Sequence, residues 1–185
     1  MSFIRPQPID HEIILDETKI IMSKTDKKGI IEYANQYFMS ICGYDEWELM
    51  GEPHNVIRHP DMPKIVFKLL WDRLDDGKNI HALVKNLAKD GSFYWVITNF
   101  VTQYNEQGEI IAYFSRRKKP PRYAIEAITP IYKKLLELEQ EGGMDASGAF
   151  LVNFLTESGL TYDEFILQVL KITQEQLDYY FSDAY

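Results

Sequence analysis

Apolar and polar positions alternate along the early part of the chain. Ile20-Ile21-Met22-Ser23-Lys24-Thr25 and Ile30-Ile31-Glu32-Tyr33 read as two short strands about the turn Asp26-Lys27-Lys28-Gly29. Asn35 is placed to cap a helix over 36–42, and Gly43 is its natural stop. Residues 45–62 keep no period, and Pro53, Pro60 and Pro63 break any long element there. Over 64–74 the period becomes helical. Ile65, Leu69 and Leu70 share a face that Phe67, Trp71 and Leu74 widen. Three more strands follow, over 80–87, 93–104 and 109–116. The turns between them, Lys89-Asp90-Gly91-Ser92 and Asn105-Glu106-Gln107-Gly108, set Asp or Asn close to Gly, as tight hairpins require. Two strands, several helices and a three-strand meander describe an α+β fold. Its five-stranded antiparallel sheet carries helices on one face.

Beyond Pro120-Pro121 the pattern is helical. Ile125, Ile128, Ile131, Tyr132, Leu135, Leu136 and Leu138 keep helical spacing until Gly142-Gly143 breaks it. Ser147 is placed to cap a helix ending at Gly159. The capping box Thr161-Tyr162-Asp163-Glu164 opens a last helix through about Phe181. The segment before the first strand is polar, with Pro6 and Pro8, and a short helix is expected over 10–19. The expected division is therefore 1–19, an N-terminal segment; 20–119, the α+β domain; and 120–185, a helical extension for dimerisation or partner docking.

Composition narrows the function. With 185 residues, 45% hydrophobic and 26% charged, the chain has the usage of one ordinary globular domain plus an appendage. A net charge of −8 disfavours nucleic acid and anionic membrane as partners. The one basic run, Arg116-Arg117-Lys118-Lys119, reads as a solvated strand end and linker. The single cysteine, Cys42, rules out an intrachain disulfide and reads as a small buried residue. No stretch approaches the ~18 apolar residues of a membrane-spanning helix. The opening residues lack the apolar region of a signal peptide, so the cytoplasm is expected. No Gly-rich phosphate loop, His-Glu-x-x-His or nucleophile elbow is present, which argues against an enzyme.

The residues of the irregular segment are more specific. Thr25 to Asn35 reads as a hairpin and helix cap, and Gly43-Tyr44 and Glu48-Leu49-Met50-Gly51 follow. Then come Pro53-His54-Asn55-Val56-Ile57-Arg58-His59-Pro60-Asp61-Met62-Pro63, Val84-Lys85-Asn86 and Lys89-Asp90-Gly91-Ser92-Phe93-Tyr94-Trp95-Val96. Over roughly 20–117 these motifs resemble the PAS sensor domains of the bacterial aerotaxis-receptor family. The resemblance implies a PAS fold that binds FAD non-covalently and reports its redox state. It also implies a signal passed to a separate, membrane-bound chemotaxis-type transducer, as in stand-alone PAS subunits of energy-taxis systems. A homodimer through the flanking helices is expected.

Within that frame Arg58 can grip a phosphate bidentately. His59 and Asp61 can hold ribose, adenine or neighbouring backbone, or simply cap a turn. Asn86, in a strand where Asn is disfavoured, offers a donor and an acceptor to the flavin's polar edge. Asn55 is a pocket candidate and His54 a structural one. Trp71 and Trp95 have core spacing and can also wall the pocket. The family's Trp at the start of the third strand is replaced here by Ile80-His81. That change opens an alternative: His81 as a haem ligand in a gas sensor. A cofactor-free PAS adaptor is the other alternative. The segment near Ile57 and Arg58 lacks the cysteine that blue-light PAS photoreceptors use.

Overall fold

The computed structural model describes residues 5–182. Its elements in chain order are β1 (Ile21–Thr25), β2 (Ile31–Ala34), α1 (Gln36–Cys42), α2 (Glu46–Leu49), a single 3-10 turn (His54–Ile57) and α3 (Lys64–Asp75). After these come β3 (Ile80–Leu87), β4 (Phe93–Tyr104), β5 (Ile110–Lys118), α4 (Arg122–Ser158), α5 (Tyr162–Leu170) and α6 (Gln174–Ser182). The strands form one five-stranded sheet in the order β2-β1-β5-β4-β3, antiparallel throughout. β5 is central, hydrogen-bonded to the first hairpin on one side and to the meander on the other.

Period-two alternation divides the sheet into two working faces. Asn86, Thr98, Ser115 and Arg117 face the short helices and α3. His81, Asn99 and Arg116 face the other way, toward α5 and α6. The PAS-like core thus carries its helices on one face, as the pattern predicts, and the extension folds back over the other. Trp95 stacks on Tyr132 of α4, with ring centroids 6.4 Å apart. The Tyr132 hydroxyl donates to the Leu83 carbonyl at 2.7 Å, covering a backbone acceptor of the edge strand β3. Ile125, Ile128, Leu135, Phe165, Ile166 and Leu170 join the core cluster. Among the described residues, no helix is long and apolar enough to cross a membrane.

The chain departs from the sequence pattern at four places. Residues 10–19 form no helix: most of the segment is irregular backbone, with a turn at 17–18. Their backbone pairs with β4: Ile13 N–H donates to Phe93 O and Phe93 N–H to His11 O. Gly91 makes room for this segment, since a Cβ there would stand 2.2 Å from the Gln7 carbonyl oxygen. β5 extends two residues beyond the expected end, which places Arg117 and Lys118 inside the sheet. The expected last helix divides at Lys171, whose φ of 56° ends α5, and α6 begins afresh. Ser147 lies inside α4, and its hydroxyl donates to Met144 O rather than capping a helix start.

Candidate functional site

A cavity of about 360 Å³ lies between the sheet, the His54–Ile57 turn and α3. That size suits a small-molecule or cofactor site. Its walls come from α3, where the helical period sets Phe67, Leu70, Trp71 and Leu74 on one side, and from the faces of β3, β4 and β5. At the rim Trp71 packs edge-on against Tyr113, centroids 5.5 Å apart. Gly29, at φ 79°, lets the β1–β2 turn approach that indole, because a Cβ would meet it at 2.9 Å.

Four of the seven candidate residues line this cavity: Asn55, Arg58, Trp71 and Asn86. Arg58 and Asn86 are brought together by an isolated antiparallel bridge between the two backbones. Arg58 Nη2 donates to Met62 O at 2.9 Å, and its guanidinium lies 4.4 Å from the Phe67 ring centroid. Asn86 stands opposite Tyr94 on β4. Asn86 Nδ2 and the Thr98 hydroxyl are buried and lack a hydrogen bond of normal geometry among the described residues. Both residues line the cavity.

The other three candidates lie outside the lining. His59 is buried against the Phe93 ring, and its Nδ1 accepts the Asp61 N–H at 3.0 Å. Asp61 is 61% exposed and pairs with Lys85 at 2.7 Å. His59-Pro60-Asp61 therefore closes the turn that carries Arg58. Trp95 sits one residue out of phase with Val96 and points to the opposite face, onto Tyr132. His81 is out of phase in the same way and packs on Phe181, centroids 5.7 Å apart, so it does not face the cavity. Burial holds its imidazole below its ordinary pKa.

The cavity has a deeper residue that its sequence context disguises. Arg117 is only 3% exposed, although the basic run Arg116-Arg117-Lys118-Lys119 has the composition of a solvated strand end. Its Nη1 donates to Ser23 Oγ at 2.9 Å and its Nη2 to His54 Nε2 at 2.9 Å, while Ser23 and Ser115 hydroxyls meet at 3.0 Å. All its named partners are neutral. Burial lowers the Arg117 pKa to about 10. Burial, then the adjacent guanidinium, push His54 down to about 3, so its imidazole is neutral and accepts at Nε2. The available signal was the spacing of Tyr113, Ser115 and Arg117, which marks one face of a strand. The cavity is lined by Lys28, Arg58 and Arg117 and by no Asp or Glu, in a chain of net charge −8.

These features fit a flavin nucleotide. Apolar walls suit a flat ring system. The buried amide of Asn86 and hydroxyl of Thr98 suit its polar edge, and the three cations suit its anionic groups.

Comparison with known proteins agrees with this arrangement. Residues 31–114 match the family model described as PAS fold. The aerotaxis receptor of Escherichia coli (strain K12) is 42% identical over 122 residues, covering 66% of this chain and 24% of the receptor. The nitrogen fixation regulatory protein of Klebsiella pneumoniae is 24% identical over 105 residues, 57% of this chain and 21% of that protein. This chain thus spans about a quarter or less of each relative's length. Among solved structures, a light-oxygen-voltage domain studied with a flavin analogue superposes with a TM-score of 0.53 at 20% identity. It covers 60% of this chain and 83% of its own.

Proposed function

Because this chain carries a PAS domain of the aerotaxis-receptor type, we propose that it is a cytoplasmic sensor, not an enzyme, holding FAD in the cavity and reporting redox or oxygen status to a separate membrane transducer. The observation that carries the proposal is the cavity's charge: three cations and no acid over apolar walls, with the Asn86 amide and Thr98 hydroxyl among the lining. The 42% identity to a receptor named for aerotaxis supports the same reading.

A flavin held there supplies reversible uptake of electrons with a proton at its ring. The chain's own residues supply the rest. Arg58 sits where the 3-10 turn meets Asn86 and can fix an anionic group at the rim. Asn86 can turn its amide, presenting a donor or an acceptor as the facing group gains or loses a proton. Arg117 places positive charge at the inner wall, with neutral His54 and two serine hydroxyls holding its geometry.

The route outward starts on the same strand. Arg117 faces the cavity, whereas Arg116 donates to Phe181 O at 3.1 Å and Lys118 Nζ bonds Tyr180 O. The Tyr180 hydroxyl returns a bond to Lys119 O at 2.6 Å. A small shift of β5 is therefore felt at α6. A differential of a few kcal/mol between ligand states is enough to bias such a two-state contact. The extension then presents a different surface to a second copy or to the transducer.

Purified protein should be yellow and should release FAD, identified by mass. Asn86→Ala should fold normally and retain at least tenfold less of it. Colourless protein that takes up no added FAD would sink the proposal. So would equal binding of the transducer by the oxidised and reduced forms.

A further inference from the structure

The cavity wall is set from outside the domain. α3 supplies four cavity-lining side chains, yet its own start has no local cap: Pro63 stands at the N-cap position and provides no side-chain acceptor. The orphan N–H groups of a helix start need an acceptor. They find it 75 and 74 residues away, in the extension. Glu139 Oε2 accepts from Lys64 N–H at 3.0 Å and Oε1 from Ile65 N–H at 2.9 Å. A carboxylate at a helix N-terminus also meets the favourable end of the helix dipole.

Glu139 is held from its other side as well. Two residues of non-helical backbone, Gly142 and Gly143, break α4 just after it. Across that break the Ser147 hydroxyl, whose one proton is shared with Met144 O at 3.1 Å, also reaches Glu139 Oε1 at 3.3 Å. Gly148, the next residue, packs against the same helix start: a Cβ there would stand 3.2 Å from Ile65 Cδ1. A second tie joins Arg73 near the far end of α3 to Asp163 of α5. The Glu139 charge also acts on Arg58 at the cavity rim, partly offsetting the burial that lowers the pKa of that guanidinium.

We propose that Glu139 is the positioning residue through which the extension sets α3, with Ser147 relaying the state of the cavity wall across the Gly142–Gly143 break to the outer half of α4. Linkage makes the relay reciprocal: whatever moves α3 loosens or tightens the outer half of α4, and the converse. The proposal rests on the cavity of the preceding reading but not on the identity of its ligand.

Amide hydrogen exchange on the full chain tests it without any cofactor. In Glu139→Ala the Lys64 and Ile65 amides should exchange at least tenfold faster, while amides of the central strand β5 keep their protection. Glu139→Gln, which retains one carbonyl oxygen, should fall between. Ser147→Ala touches neither amide, yet should speed both by two- to fivefold. Unchanged Lys64 and Ile65 exchange in Glu139→Ala overturns the clamp. An effect of Ser147→Ala confined to its own helix overturns the relay. A parallel titration with FAD reports on the preceding proposal separately. Its failure leaves both exchange comparisons standing.

Discussion

Arg117 and His54 show what one buried pair demands of its surroundings. A guanidinium withdrawn from water with only neutral partners costs stability at neutral pH, because its charged form is disfavoured until the pH reaches its lowered pKa near 10. Negative charge on a ligand in the cavity would offset that cost. The imidazole beside it answers in the acid range. His54 falls from 6.5 to about 3, and His59, through burial and Lys85, to about 4. Both depressed values favour the neutral ring in the fold. Their stabilisation is therefore full above about pH 6.5 and is lost as pH falls toward 3. Unfolding free energies from urea titrations should decline between pH 7 and pH 5 by on the order of one to a few kcal/mol. His54→Gln should flatten about half of that slope, His59 supplying a similar share; an unchanged slope would remove His54 as a source. Asn86 was legible in the sequence because an amide in a strand asks for a reason. Arg117 was not, because a basic run before two prolines has the same composition whether it is solvated or threaded through a sheet.

At the scale of elements, local chemistry spoke clearly where it acted alone. The strands, the hairpin turns, α3 and the Gly142-Gly143 break all follow from period and turn residues. The division of α5 from α6 had its signal too: Thr173 N–H bonds Gln176 Oε1 and Gln176 N–H bonds Thr173 Oγ1, a second capping box three residues after α5 ends. The 10–19 segment had none, since its backbone partners lie on β4. Gly143 sits at φ 70° and ψ −168°, a region open essentially to glycine alone. Gly143→Ala should destabilise the fold by about 1–3 kcal/mol, read from the urea midpoint, or else straighten α4. A neutral result with the break intact would show that the break carries no strain. Gly142 is different, with φ −138°, and its tight contact is with the Ala146 side chain.

The whole molecule is a sheet between two helical layers, and the sequence could not assign the second layer. A helical extension with apolar residues at helical spacing looks the same whether it folds back, dimerises or awaits a partner. Tyr132 on Trp95, Phe181 on His81 and the bonds from β5 to α6 settle it toward the sheet in the single chain. Truncation after Lys119 should uncover the Trp95 face. The shortened protein should bind a hydrophobic dye and self-associate at micromolar concentration, as light scattering after gel filtration would show. A monodisperse monomer with unchanged dye binding would mean that the extension does not shield that face. A dimer of the intact chain, if it forms, would use surfaces the extension leaves outside.

The grip of β5 on α6 has a consequence for how such a sensor diversifies. Arg116 and Lys118 hold the carbonyl oxygens of Phe181 and Tyr180, groups that every amino acid carries. The socket recognises the plug by its main chain at these two points, so neighbouring outward side chains of the plug are free to drift. Tyr179, 72% exposed beside them, is such a position. One sensing core can thereby accept many output surfaces, each written on the outside of the same short helix, without relearning how to hold it.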